Sequence, residues 1–93
     1  SITGQVTIDA STESDFDGRP LIVLNGGGTL VDGFQLYGGS SGSTIRGFVI
    51  QNFTGDGIDI ATSNNNTIVG NWIGLSASGL VAAVNQNGIN IWQ

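Results

Sequence analysis

The chain has 93 residues, 16 of them glycine, with no Cys, His or Met and a formal net charge of −5. That composition excludes disulfides and Cys/His zinc sites. With Arg19 and Arg46 as its only cations, it offers no basic surface for a nucleic-acid backbone or an anionic membrane, and at this length a single globular core would be marginal.

Ser1 stands where an initiator Met would, with no signal-peptide pattern behind it, which reads as a processed chain or an excised segment. The first strand signal is Val6-Thr7-Ile8, two apolar residues flanking a polar one, the period of a strand with one buried face. A loop from Ala10 to Pro20 carries Glu13, Asp15 and Asp17. Apolar runs such as Leu21-Ile22-Val23-Leu24 are far too short to span a membrane. Phe34 and Leu36 then flank Gln35, Ile58 and Ile60 flank Asp59, and Ile89 and Ile91 flank Asn90. Shorter strands are expected around Ile45 and Ile68, and just past Gly47 and Gly70 around Ile50 and Ile73. Ser76 to Val84 reads as a loop insertion ending in an apolar cluster from Leu80 to Val84.

These segments repeat. Asp32-Gly33-Phe34-Gln35-Leu36 returns as Asp56-Gly57-Ile58-Asp59-Ile60 and as Asn87-Gly88-Ile89-Asn90-Ile91, while Ser43-Thr44-Ile45-Arg46-Gly47 returns as Asn66-Thr67-Ile68-Val69-Gly70. Two interleaved phrases in step predict an all-β solenoid over residues 1–93, about four coils of three short strands, each strand pairing in parallel with its equivalent one coil away. Val6, Phe34, Ile58 and Ile89 are expected to form one inward ladder, and Ile8, Leu36, Ile60 and Ile91 a second. Thr7, Gln35, Asp59 and Asn90 are expected to face water. Ile45 and Ile68 form another set, with Leu21 or Ile22 as its earlier member, and Ile50 and Ile73 a third.

The text Gly42-Ser43-Thr44-Ile45-Arg46-Gly47-Phe48-Val49-Ile50, then Gly55-Asp56-Gly57-Ile58 and Asn64-Asn65-Asn66-Thr67-Ile68-Val69-Gly70-Asn71-Trp72-Ile73-Gly74, resembles the right-handed parallel β-helix proteins of bacterial extracellular and surface proteins, the pectin-lyase-like fold. The resemblance runs from about Gly33 to Trp92 and is weaker over Val6–Asp9 and Pro20–Asn25. It implies a secreted or cell-surface location and a natural polypeptide longer than these coils. Members of the family include pectin-degrading enzymes, epimerases and adhesins, so the motif specifies the fold far better than the function.

Thr54-Gly55-Asp56-Gly57-Ile58-Asp59 looks a little like the Asn-Thr-Asp-Gly segment of polygalacturonases, whose chemistry needs two or more carboxylates converging on one bond. The equivalent of that family's next acidic pair reads Asn85-Gln86-Asn87-Gly88, and the chain has no His or Lys. Asp56 shares its pre-strand slot with Asp32 and Asn87, and a recurring slot points to backbone capping rather than catalysis. Arg46, the only cation placed for lyase-type chemistry, falls in a repeat slot filled by Val69 and reads as a surface side chain. A calcium site would draw on Asp32 with Asp56, or on Glu13, Asp15 and Asp17, but calcium needs six to eight oxygens and no loop has the spacing of a calcium motif, so no cofactor is expected. The run Asn64-Asn65-Asn66 reads as a turn, with Asn71 joining a ladder of stacked amides. Trp72 is expected to pack on a wall, and Trp92 to be exposed and available to a sugar.

Neither end carries a capping helix pattern, so both end coils are expected to expose strand edges and core. Either the segment sits within a longer helix or separate copies stack end to end, and the expected function is a non-catalytic structural segment, with no catalytic, cofactor-binding or metal residues assigned, that associates coil to coil as an oligomer or filament. The alternative is a polysaccharide-binding or degenerate polysaccharide-processing fragment.

Overall fold

A computed structural model describes residues 1–12, 20, 22–80 and 82–92. Its nine strands are β1 (Thr7–Asp9), β2 (Ile22–Asn25), β3 (Phe34–Leu36), β4 (Thr44–Arg46), β5 (Phe48–Gln51), β6 (Asp56–Ala61), β7 (Thr67–Val69), β8 (Trp72–Ile73) and β9 (Asn87–Trp92), with a single 3-10 turn at Ala10–Thr12. They form three parallel three-stranded sheets, β1-β4-β7, β2-β5-β8 and β3-β6-β9. Every third strand falls in the same sheet, so the chain passes through the three sheets in one order, three times. Each pass is a tier. Parallel neighbours need a long crossover between them, and here the crossover is the passage through the other two sheets.

The register matches the repeat where the phrases are strongest. Phe34 pairs with Ile58 and Ile58 with Ile89. Leu36, Ile60 and Ile91 align beside them. Ile45 pairs with Ile68, and Ile50 with Ile73. The first tier differs from expectation. Val6 and Ile8 do not stand under Phe34 and Leu36; β1 pairs Ile8 with Ile45 instead. The place beside Leu36 is taken by Ile2, through an isolated parallel bridge. Ile22 likewise pairs with Phe48 and Leu24 with Ile50, which moves this strand out of the Ile45 set; Leu21 lies outside the described residues. Alternation alone cannot separate these choices, because each segment has the same period of two. The described residues thus form three tiers with one extra bridge, where about four coils were expected.

One apolar cluster draws on all three sheets. Leu36, Ile45, Ile50, Phe53, Ile58 and Ile60 are buried, with Ile2, Leu24, Phe34, Phe48, Ile68 and Ile73 packed against them. Phe34 and Phe48 meet edge to face at 5.3 Å between ring centroids. Burial follows the tier as much as the slot. Ile58 and Ile60 of the second tier are 0% and 4% exposed, whereas Ile89 and Ile91, their partners in the third, are 42% and 69% exposed.

The repeated glycine has a steric cause. A Cβ on Gly33 would lie 2.4 Å from the carbonyl oxygen of Gly57, and one on Gly57 would lie 2.7 Å from that of Gly88. Each tier therefore presses on the backbone of the next at this slot, and only hydrogen fits.

Between the sheets the backbone turns, and its polar groups there have no ladder to join. Asparagine amides of the third tier take them up. Asn71 Oδ1 accepts from the Phe48 amide at 2.9 Å while its Nδ2 donates to the Ile45 carbonyl at 3.0 Å. Asn85 does the same one corner on, accepting from Phe53 N at 2.9 Å and donating to Ile50 O at 3.1 Å. At the remaining corner Asn66 accepts from Ser43 N at 3.0 Å and donates to Ser63 Oγ at 2.9 Å. Asn71 is thus a clamp between tiers and not a rung of an amide ladder. No buried side-chain nitrogen or oxygen among the described residues lacks a partner.

Replacing Asn85 with Ala strands a buried N–H and a carbonyl, which should cost about 1–3 kcal/mol. Asn64→Ala, at an exposed turn position, should stay within about 0.5 kcal/mol. Urea unfolding of the two variants measures the difference; equal midpoints would show that the clamp contributes nothing.

Candidate functional site

The densest polar cluster lies on the outer face of the β3-β6-β9 sheet. The residues of three tiers that point away from the core stack there: Gln35, Asp59 and Asn90 in one column, with Asp32, Asp56 and Asn87 at the entries to the strands. Carboxylate oxygens of Asp32, Asp56 and Asp59 all lie within 4.8 Å of one another.

Neutral donors hold these acids. Asp32 Oδ1 accepts from the Asp56 amide at 2.7 Å, and its Oδ2 from Gln35 Nε2 at 2.8 Å. Asp56 Oδ1 accepts from Asn87 Nδ2 at 2.8 Å. Asp59 is more enclosed. Its Oδ2 accepts from the Tyr37 hydroxyl at 2.9 Å, and its Oδ1 from Trp92 Nε1 at 2.9 Å and Asn90 Nδ2 at 3.3 Å. Asp59 is 5% exposed, contrary to the expectation that it faces water. The covering groups come from the tiers on either side. Ala61, the partner of Trp92, is small, so the Tyr37 and Trp92 side chains fold inward over the carboxylate. Trp92 keeps about half its surface in solvent, as expected, but its indole N–H is committed. Tyr37 was not legible as a member of this group. The available signal was its place two residues past Gln35, matching Trp92 two past Asn90.

Chemically, five of the six carboxylate oxygens of the cluster accept hydrogen bonds from the described residues. Hydrolysis by paired carboxylates requires one to protonate a leaving group and the other to attack or to activate water. Asp59 has both oxygens engaged, and the slot of Asp56 is bonded forward to Asn87 and back to Asp32. The recurring acids cap the neighbouring tier rather than their own turn, which refines the capping role read from the sequence. A calcium ion takes six to eight oxygens, and at these three carboxylates it would compete with the Gln35, Asn87, Asn90, Tyr37 and Trp92 donors.

The other candidates are scattered. Arg46 is exposed on β4, beside Asp9 of β1. The Ser11 hydroxyl and amide, and then the Arg46 charge, hold the Asp9 carboxyl below its ordinary value. Asn64–Asn66 form the expected turn, with Asn65 at φ 59°. Trp72 pairs with Val49, and the insertion folds against its outer side, since a Cβ on Gly79 would sit 2.9 Å from the ring. Leu75 and Ala82 close the insertion by an antiparallel bridge, while Leu80 stays exposed. Glu13, Asp15, Asp17 and Arg19 lie outside the described residues. An open hollow of about 400 Å³ beside Asn52, Thr54, Val84 and Gln86 carries no titratable side chain. No helix among the described residues is long and apolar enough to cross a membrane.

Compared with protein-family models, curated proteins and solved structures, the chain matches none.

The hydrogen bond to Asp59, with burial and the negative charge of Asp59, Asp32 and Asp56, raises the Tyr37 phenol above its ordinary value of 10.0. A phenol that holds its proton more tightly when folded adds stability below its unfolded pKa. That stability is lost as pH rises through the folded one. Tyr37 is the only tyrosine, so an ultraviolet titration reads it alone. It should ionise above the ordinary range in the folded chain and shift back toward it in Asp59→Asn, and the melting temperature of the unsubstituted chain should fall across the same interval. An ordinary titration in the folded chain would contradict the bond.

Proposed function

We infer that the chain is a non-catalytic structural segment of a right-handed parallel β-helix, secreted or displayed at a cell surface, that associates coil to coil and end to end into a filament. The cyclic order of the strands through three parallel sheets supports the helix. The resemblance of residues 33–92 adds the hand and the location. The engagement of Asp59 and Asp56 by neutral donors, in a chain without His or Lys, supports a role other than catalysis.

One observation carries the association: a slot sealed in the second tier lies open in the third, at Ile89 and Ile91. Among the described residues β9 pairs with β6 alone, as β7 does with β4 and β8 with β5. Its outer edge presents backbone donors and acceptors beside exposed aliphatic side chains, a template for another strand. The same addition repeated head to tail does not close and yields an open filament.

The 93-residue chain should therefore sediment as a concentration-dependent series of oligomers and show fibres in electron micrographs. Ile91→Lys places a charge on that edge at a position already in solvent. It should keep the β-type circular dichroism while weakening association by at least about tenfold, or about 1.4 kcal/mol. A compact monomer at all concentrations would overturn the reading. A monomer that binds a glycan array would favour the polysaccharide alternative.

A further inference from the structure

Gly88 fills the repeated glycine slot without the steric need that explains Gly33 and Gly57. A Cβ there would meet only Ile73 Cγ2, at 3.5 Å, an ordinary contact, and its φ is not in the left-handed region. Glycine in a strand weakens it. In the first two tiers the demand for glycine comes from the carbonyl of the glycine in the tier that follows. At Gly88 the same demand would come from a tier laid on β9.

We propose that this tier is the first tier of a second copy of the chain, set on the third tier in the register the sheets already use. The inference rests on the self-association argued above and fixes its geometry. In the second copy, β1 lies on β7, β2 on β8 and β3 on β9, all parallel. Ile8 then stands over Ile68, Leu24 over Ile73, Phe34 over Ile89 and Leu36 over Ile91, and the carbonyl of Gly33 comes over Gly88.

Charge complementarity favours this occupant. Inside the chain Asp32 stacks under Asp56, and Asp59 between Gln35 and Asn90. At the joint the second copy brings Asp32 over Asn87, so carboxylate meets amide, and Gln35 over Asn90, so amide meets amide. Its Asp9 comes over Val69, so among the described strand residues no two acids face each other. Asn87 also offers its Oδ1 to the amide of the residue above, as Asp32 Oδ1 does to the Asp56 amide. The size fits as well. The molecule measures 34 × 29 × 15 Å, and three tiers at about 4.8 Å spacing account for the short axis. The end face, an ellipse on the two long axes, is then roughly 770 Å², close to the roughly 800 Å² each partner buries in a stable complex.

Ile2 is the obstacle. Its amide donates to Gln35 O at 2.7 Å and its carbonyl accepts from Tyr37 N at 3.0 Å, so it holds the edge of β3 that β9 of the other copy must reach. The incoming copy has to release Ser1 and Ile2 from that edge. The turn that leads into its β1 then enters the hollow of about 220 Å³ between Ile60, Ile91 and the turn Ser63–Asn66. Ile2 thus competes with β9 of a neighbour for one strand edge.

Four variants of the 93-residue chain test the register by sedimentation and by non-reducing gels. Gly88→Ala should keep the circular dichroism and melting temperature of the parent and lose association at least tenfold; association at the parent level overturns the proposal. The double variant Gln35→Cys, Asn90→Cys should form disulfide-linked ladders under oxidised glutathione. Within one chain these positions lie two tiers apart, roughly 9.6 Å, beyond the roughly 7 Å limit for a disulfide, so every link is between copies. Asn90→Cys alone should form none; a link there means that like ends meet, which overturns the register. Oligomers without the 35–90 link also overturn the register while leaving end association standing. A chain that is only monomeric removes the reading beneath it. Ile2→Pro, which deletes the donor to Gln35, should raise association at least threefold, and a fall would place Ile2 in the joint and refute the competition.

Discussion

The constraint on which the structure depends is that backbone polar groups at the corners must find partners without a ladder. In the strands the parallel pairing supplies them. At the corners it cannot, because the chain is bending and its N–H and C=O groups point at neighbouring tiers. Asn66, Asn71 and Asn85 answer this with an amide that accepts from the tier below, and in the latter two it also donates back to that tier. A side chain with one donor and one acceptor end, short enough to leave the turn undistorted, is what such a gap requires. These asparagines tie the third tier to the second at each corner, a directional link that aliphatic packing, being non-directional, does not supply.

A stack of three tiers has one interior tier. This explains why identical slots differ so much in exposure and why Ile45, Val49, Ile50 and Ile58 of β4, β5 and β6 are among the largest buried side chains, while Leu36 of β3 is paired on its open side by Ile2. A long repeat array spreads the cost of its two ends over many interior repeats.

The acidic column follows from the same geometry. In-register parallel stacking brings equivalent residues together, so a repeated Asp would repel its copy one tier away. Gln35, Asn87 and Asn90 interleave amides among the acids, and the Tyr37 hydroxyl and Trp92 indole close over Asp59. The carboxylates act as acceptors that tie tiers together, with their charge dispersed over neutral donors.

The repeated phrases alone determined the all-β class, the parallel pairing of β3, β6 and β9, and the alignment of Ile45 with Ile68 and Ile50 with Ile73, because a side chain that must meet its equivalent leaves a periodic trace. They also marked residues 76–84 as an insertion outside that register. Tertiary structure decided the first tier, where Ile8 and Ile22 each had more than one sheet with a matching period of two, and where Ile2, with no phrase around it, took the edge of β3. It also decided the burial of Asp59 and the clamping by Asn85. Both arise from contacts between residues 22 to 35 positions apart, and no local pattern states which neighbour a polar side chain will find when the next tier settles on it.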